Sequence, residues 1–211
     1  MACAIDHLVV TARTLQTGTE YIEELLGVEL DRGGEHERMG THNRLLKLGA
    51  ALYLEVIAIN PSAPRPARSR WFDLDAMSGD DPPHLRTWVL RTDDIDASLP
   101  HTGVPLGAIE RMTRGELSWR ITIAADGSLP FQGVMPSLIQ WDAQQHPASR
   151  LCDRGCSLVA LEGRHVDAHR IRRALFALGV DGPVTIIGAS ANKRPRLTAT
   201  IGTPAGPRRL S

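Results

Sequence analysis

Along the chain, apolar and polar positions fall into one pattern three times: an apolar strand, a turn, then an amphipathic helix closed by glycine. In "HLVVTARTLQTGTEYIEELLGV", Leu8, Val9 and Val10 mark a covered strand, and Tyr21, Ile22, Leu25 and Leu26 recur at helical spacing. Gly27 follows as the helix stop. "TWVLRTDDIDASLPHTGV" repeats the order from Thr87 to Gly103 and its following valine, with an acidic first helical turn. "SLVALEGRHVDAHRIRRALFALGV" repeats it from Ser157, with Ile171, Leu175 and Leu178 on one face and Gly179 as the stop. Recurrence of one unit is the main organisational signal.

Short strands follow each helix. The first unit predicts strands over 42–49 and 51–59 with Gly49-Ala50 between them, and the second over 117–124 and 136–142 with "ADGS" between blocks. The third predicts "PVTIIGA" and "RLTATIGTP". The organisation is therefore βαβββ over 4–60, βαβββ over 84–143, and a shorter C-terminal copy within 151–211. The prolines and arginines of 59–83 exclude regular structure over most of that linker. Trp71-Phe72 inside it reads either as a lid on a cleft or as an aromatic pin for the loop.

Strand alternation sorts the candidate residues. Tyr53, Glu55 and Ile57 share a face, as do Leu138, Gln140 and Asp142. In "LSWRITIA", the row Leu117, Trp119, Ile121 and Ile123 suits packing on helices, and the row Ser118, Arg120 and Thr122 suits a polar cleft. Arg120 then meets a substrate anion through its planar fork or pairs with an acidic neighbour. Alternation also sends Asp6 to the face opposite His7, which argues against a dyad between them. Either His42 or Asn43 faces inward; periodicity does not choose.

"IDHLVV", "MGTHNRLLKLG", "LYLEVIA" and "RWFDLD" resemble the glyoxalase-like domain branch of the vicinal oxygen chelate superfamily, which includes glyoxalase, extradiol dioxygenases and fosfomycin- and bleomycin-resistance proteins. The resemblance covers residues 4 to about 150, and the third unit is similar to a C-terminal extension of that branch. It implies an α+β fold in which paired βαβββ modules form a cup-shaped mixed sheet, over residues 1–150, with the extra partial module at 151–211. It also implies metal ligands on the first and last strands of each unit, here His7 and Glu55. Aligning the units puts Thr87 at the position of His7 and Gln140 at that of Glu55, so the second unit departs from the usual His and Glu. Thr and Gln are weak ligands for a divalent ion.

The implied activity is that of a lyase or isomerase on a small molecule with vicinal oxygens. A divalent ion (Zn, Ni, Mn or Fe) on His7, Glu55 and Gln140 acts as Lewis acid, with Glu55 and Arg120 as catalytic groups. His42, Trp71, Phe72, Thr87, Arg91 and Arg120 line the substrate. The alternative is a non-catalytic, resistance-type binder using the same cleft, with Trp71, Phe72 and Trp119 as apolar walls. A third class is a partner-binding protein working through 155–211.

Composition narrows these classes. With 24 basic and 24 acidic residues, no overall field draws the chain to nucleic acid or anionic membrane. No apolar run reaches membrane-spanning length and the first residues carry no leader pattern, so a cytoplasmic location is expected. Cys3, Cys152 and Cys156 form no disulfide framework, and the last two lack the second pair a zinc site needs. His165 and His169 stand four apart without the following Glu of a metalloprotease helix, and read as an exposed helix start. "GTPAG" and "RGG" lack the strand–turn–helix setting of a phosphate loop. The sheet edges of a paired architecture need covering, by a second copy as a homodimer or by the chain's own extension.

Overall fold

The computed structural model describes residues 2–142 and 146–211. Residue 143, where the sequence reading ends the second unit, lies outside the described residues. The first unit comprises β1 (Ala4–Thr11), α1 (Leu15–Leu26), β2 (Asp31–His36), β3 (Thr41–Gly49) and β4 (Leu52–Ile59). The second comprises β5 (His84–Arg91), α2 (Ile95–His101), β6 (Ala108–Arg114), β7 (Leu117–Ile123) and β8 (Ser137–Trp141). The third comprises β9 (Ser157–His165), α3 (Ala168–Ala177), β10 (Val184–Gly188), β11 (Arg196–Thr203) and β12 (Gly206–Leu210).

Local chemistry sets the helix ends. Thr14 caps α1 by accepting from the Thr17 amide, and Gly27 ends it in the left-handed region at φ 71°, its N–H on the Glu23 carbonyl. Asp94 caps α2 in the same way through the Ala97 amide. Ile22 and Leu26 of the α1 stripe are fully buried, with Tyr21 and Leu25 packed beside them.

Both βαβββ units join one eight-stranded sheet in the order β2-β3-β4-β1-β5-β8-β7-β6. In each unit the first strand runs parallel to the last, β1 to β4 and β5 to β8, and β1 meets β5 antiparallel at the centre. The sheet therefore has an internal two-fold pattern. It curls until its two ends meet: the Arg114 guanidinium at the end of β6 lies 3.5 Å from His36 Nε2 at the end of β2. The third unit makes a separate four-stranded sheet, β10-β9-β11-β12.

Alternation divides the interior into two cores. Leu8, Val10, Leu54, Val56, Trp88, Leu90 and Leu138 face outward from the curl and pack with the helices and the second sheet. Trp88 fixes this layer further, its indole N–H donating to the Val134 carbonyl at 2.9 Å. Val9, Ile57, Val89, Trp119, Ile121 and Ile139 face into the curl, where Trp71, Phe72 and Leu74 of the linker cover them. Among the described residues no helix is long and apolar enough to cross a membrane.

Three expectations change here. Trp119, Ile121 and Ile123 point into the cup, and Arg120 points out of it, because the second half of the cup is apolar and roofed by the linker aromatics. The faces of β7 are thus the reverse of the expected ones. Of the alternatives on β3, Asn43 is inward and buried, opposite Ile57; His42 pairs with Ala58 and faces away. His165 ends β9 as a buried residue rather than opening an exposed helix.

Candidate functional site

The cup holds one concentration of buried ionisable groups, set by the pairing of the first unit. His7 pairs with Tyr53 across the parallel β1–β4 ladder, which puts Glu55 one inward position further along β4. His7 Nε2 and Glu55 Oε2 stand 3.7 Å apart, both side chains buried. That is beyond hydrogen-bond reach, so neither atom is used up by the other. The His7 ring stacks on Tyr53 with centroids 4.7 Å apart, which fixes its plane.

Asp6 holds the other side of His7, against the alternation expectation. Ile5 pairs with Leu90 and His7 with Val89, so Asp6 is the extra residue of a β-bulge and lies outside the alternation. Its carboxylate, fully buried, takes His7 Nδ1 at 2.7 Å on one oxygen. The other oxygen takes Trp141 Nε1 and His146 Nε2, each at 2.9 Å. Burial alone raises a carboxyl pKa, but here the hydrogen bonds and charge of His146 and His7 outweigh it and hold Asp6 far below the usual range. An ionised Asp6 makes Nδ1 the protonated nitrogen of His7 and turns Nε2 toward Glu55. The same burial, reinforced by Asp6 and Glu55, pushes the Tyr53 phenol well above its ordinary value.

Asn43 organises the far side. Its amide N–H donates to Glu55 Oε1 at 2.5 Å, and its carbonyl accepts from the Gly34 amide at 2.7 Å and Arg114 Nη1 at 3.3 Å. Arg114 crosses the mouth from β6 and also approaches His36 Nε2. His36 Nδ1 is hydrogen-bonded to Thr41 Oγ1 at 3.1 Å; burial, then Arg114, keeps its pKa well below the free value, so it stays neutral. Among the described residues Arg114 has no carboxylate within ion-pair distance. The enclosed space between these groups and Trp71, Phe72, Trp119, Ile121 and Trp141 measures about 20 Å³, enough for a single water-sized body. Phe72 and Asp73 of the roof adopt left-handed backbone at φ 56° and 59°, an unfavourable state for non-glycine residues.

The remaining predicted residues are placed as follows. Gln140 Oε1 lies on the outer face and accepts from Arg120 Nη2 at 2.7 Å and the Ile95 amide at 2.9 Å. Arg120 is ion-paired there with Asp96 of α2. Thr87 Oγ1 donates to the Gly133 carbonyl at 3.1 Å, away from His7. Arg91 donates to the Ala51 carbonyl and lies 3.8 Å from Asp6, in a neighbouring cavity rather than in the cup. His7, Glu55, Trp71 and Phe72 are therefore brought together, and His42, Thr87, Arg91, Arg120 and Gln140 are not. Asn43, the alternative to His42, joins the site, as does Asp6 although expected on the opposite face; His36, Arg114 and His146 join it without having been singled out. His42 Nε2 is buried without a partner among the described residues, on the opposite face.

This donor set does not fit a catalytic divalent ion. Such an ion takes three firm ligands and an open position. The cup brings two together, His7 Nε2 and Glu55 Oε2; His36 also lines it but turns Nε2 to Arg114, the second unit contributes Ile139 and Trp141, and Arg114 brings a positive charge into the same cavity. Among the described residues no group of three or more His, Cys, Asp or Glu is placed so that it could hold a metal ion.

Comparison with known proteins agrees with the architecture. The family model described as a glyoxalase-like domain matches residues 5–179. A hypothetical protein from Staphylococcus aureus is similar over 99% of this chain and 98% of its own, with 13% identity and a TM-score of 0.63. A single-residue variant of the Streptomyces coelicolor methylmalonyl-CoA epimerase, in complex with 2-nitronate-propionyl-CoA, is similar over 66% of this chain and 97% of its own, at 18% identity and TM-score 0.46. The epimerase of Mycobacterium tuberculosis gives 18% identity, 65% and 85% coverage and TM-score 0.43. No functionally curated protein matches the chain.

Proposed function

Because the chain belongs to the glyoxalase-like domain family, we propose that it is a small-molecule enzyme that moves a proton on a substrate with vicinal oxygens. His7 is the base. Asp6 holds its Nδ1–H, so Nε2 presents a lone pair toward the cup, in the manner by which a buried carboxylate orients a catalytic imidazole. Nε2 takes a proton from the carbon beside a carbonyl, and the electron pair moves onto the carbonyl oxygen as an enediolate. Arg114 supplies the charge for that oxygen, since its guanidinium has no carboxylate of its own among the described residues. The proton then returns to the same or the adjacent carbon, with Glu55, held by Asn43, as the second group able to carry it. The overall change is an isomerisation or epimerisation, with no electron leaving the substrate.

The observation that carries this reading is the run Asp6–His7–Glu55–Asn43, buried in one cup beside Arg114. Divalent-ion chemistry with His7, Glu55 and Gln140 as ligands is not part of it, because Gln140 is engaged on the outer face. The roof must lift for a substrate larger than water to enter, and the left-handed Phe72–Asp73 backbone is where it would hinge.

The test is exchange of carbon-bound hydrogen in D2O. A panel of 2-oxo and 2-hydroxy carbonyl compounds and thiol hemithioacetals is followed by proton NMR with wild type, His7→Gln, Glu55→Gln and Arg114→Gln. Exchange into at least one compound, lost in His7→Gln, supports the proposal. Binding without exchange across the panel would make the cup a receptor and overturn it, as would exchange that survives His7→Gln.

A further inference from the structure

The open face of the C-terminal sheet carries a charge arrangement that the cup does not explain. Antiparallel pairing of β11 with β9 puts Arg196 directly opposite Arg164, both exposed. Like charges directly opposite on one face destabilise a sheet. Glu162, two residues before Arg164 on the same face, relieves only that partner, binding its Nε at 2.8 Å. Arg196 has Ser211 Oγ at 2.6 Å and no acidic group within ion-pair distance among the described residues. Arg209 enters the same face from β12, paired with Thr200, and it too lacks an acidic partner among the described residues.

The face is walled rather than flat. A cavity of about 510 Å³ lies over Glu162, Arg164, Arg196, Thr198, Arg209 and Ser211. A second, of about 480 Å³, shares Arg196 and Ser211 with it and continues past Leu197 to Met77, Leu85 and Arg86 at the base of the linker. Each has the volume of an ordinary small-ligand site. One end of the combined groove is three guanidinium groups with hydroxyls between them and one carboxylate, Glu162, already bound to Arg164; the other is partly apolar and carries Asp73 and Asp81 near Arg86.

We propose that this groove is a second binding site, separate from the cup, for a small organic phosphate. The phosphate sits among Arg164, Arg196 and Arg209, whose planar forks bond its oxygens in pairs, and the rest of the molecule lies along Leu197 toward Leu85. Bound phosphate turns the like-charge pair from a cost into a shared contact. A polyanionic macromolecule is disfavoured because the chain's 24 basic and 24 acidic residues give no broad positive surface. The inference is independent of the chemistry assigned to the cup.

Titration calorimetry of the full chain with inorganic pyrophosphate, at matched ionic strength against sodium chloride, tests it. Saturable one-site binding is expected, weakened about tenfold or more in Arg196→Gln and in Arg209→Gln, as for loss of one charge-assisted contact. Arg114→Gln, in the cup, leaves it unchanged. Without pyrophosphate, Arg196→Gln melts at or above the wild-type temperature, because a repulsion has been removed. No saturable heat, wild-type affinity in either sheet variant, loss of binding in Arg114→Gln, or a ligand-free Arg196→Gln that melts lower would each overturn the proposal.

Discussion

Replacing Asp6 by Asn keeps the shape of the side chain and removes its charge, so it isolates what holds His7. The carboxylate accepts from three donors at 2.7–2.9 Å while fully buried. An amide has one acceptor oxygen, so in either orientation its NH2 meets the indole N–H of Trp141 or the Nδ1–H of His7. Trp141 cannot respond, since an indole only donates. One buried donor left unsatisfied costs about 1–3 kcal/mol, and the other contacts fall from charge-assisted to neutral strength. With His146 able to change tautomer, the sum is about 3 kcal/mol. Urea unfolding of both proteins at pH 7.5, with equal slopes, measures it. Nitrogen-15 NMR of the histidine rings gives the second readout: His7 carries its proton on Nδ1 in wild type and moves it to Nε2 in a substantial fraction of Asp6→Asn. A stability change under about 0.5 kcal/mol with an unchanged His7 tautomer would refute the account of the bulge.

Three further outcomes follow from the same geometry. His36 is neutral when folded because its pKa is held well below the free value of 6.5, so below about pH 6.5 the unfolded chain takes up a proton that the folded one refuses. Stability therefore falls on acidification by up to about 1.4 kcal/mol per pH unit from this residue, and His36→Gln flattens the pH dependence measured by denaturation; an unchanged slope would count against it. Asn43→Ala removes the bond to Glu55 and the support of Arg114, and loses about 1–3 kcal/mol in urea unfolding together with exchange activity. Gly133→Ala forces a side chain onto backbone at φ 94°, with its Cβ driven into the Arg86 carbonyl, and destabilises by more than about 2 kcal/mol; a wild-type melting curve would contradict that reading.

Much of the fold was legible because the pattern repeats. The strand–helix–glycine theme marks the first strand of each unit, and the resemblance to the glyoxalase-like branch implied that His7 and Glu55 share one site, with Tyr53, Glu55 and Ile57 on one face by alternation. Three things were not legible. Alternation gives two faces but not which is inside, and on β7 the apolar row looked helix-facing although it lines a roofed, apolar half-cup. On β3 the same ambiguity left His42 and Asn43 unresolved. Asp6 was misplaced because a bulge inserts one residue and breaks the period, and no residue in "AIDHLVV" announces it. Arg114 reaches the site by long-range closure of the sheet ends, and His146 through its contact with Asp6, far away in the chain.

The cup's chemistry is tested most directly by the metal dependence of hydrogen exchange on the best substrate of the panel. Protein stripped with a strong chelator is compared with the same protein resupplied with zinc, nickel, manganese or ferrous ion. The account predicts equal exchange rates throughout, all lost in His7→Gln. Exchange that is absent after stripping and returns with one stoichiometric ion, held in wild type but not in His7→Gln or Glu55→Gln, would contradict it.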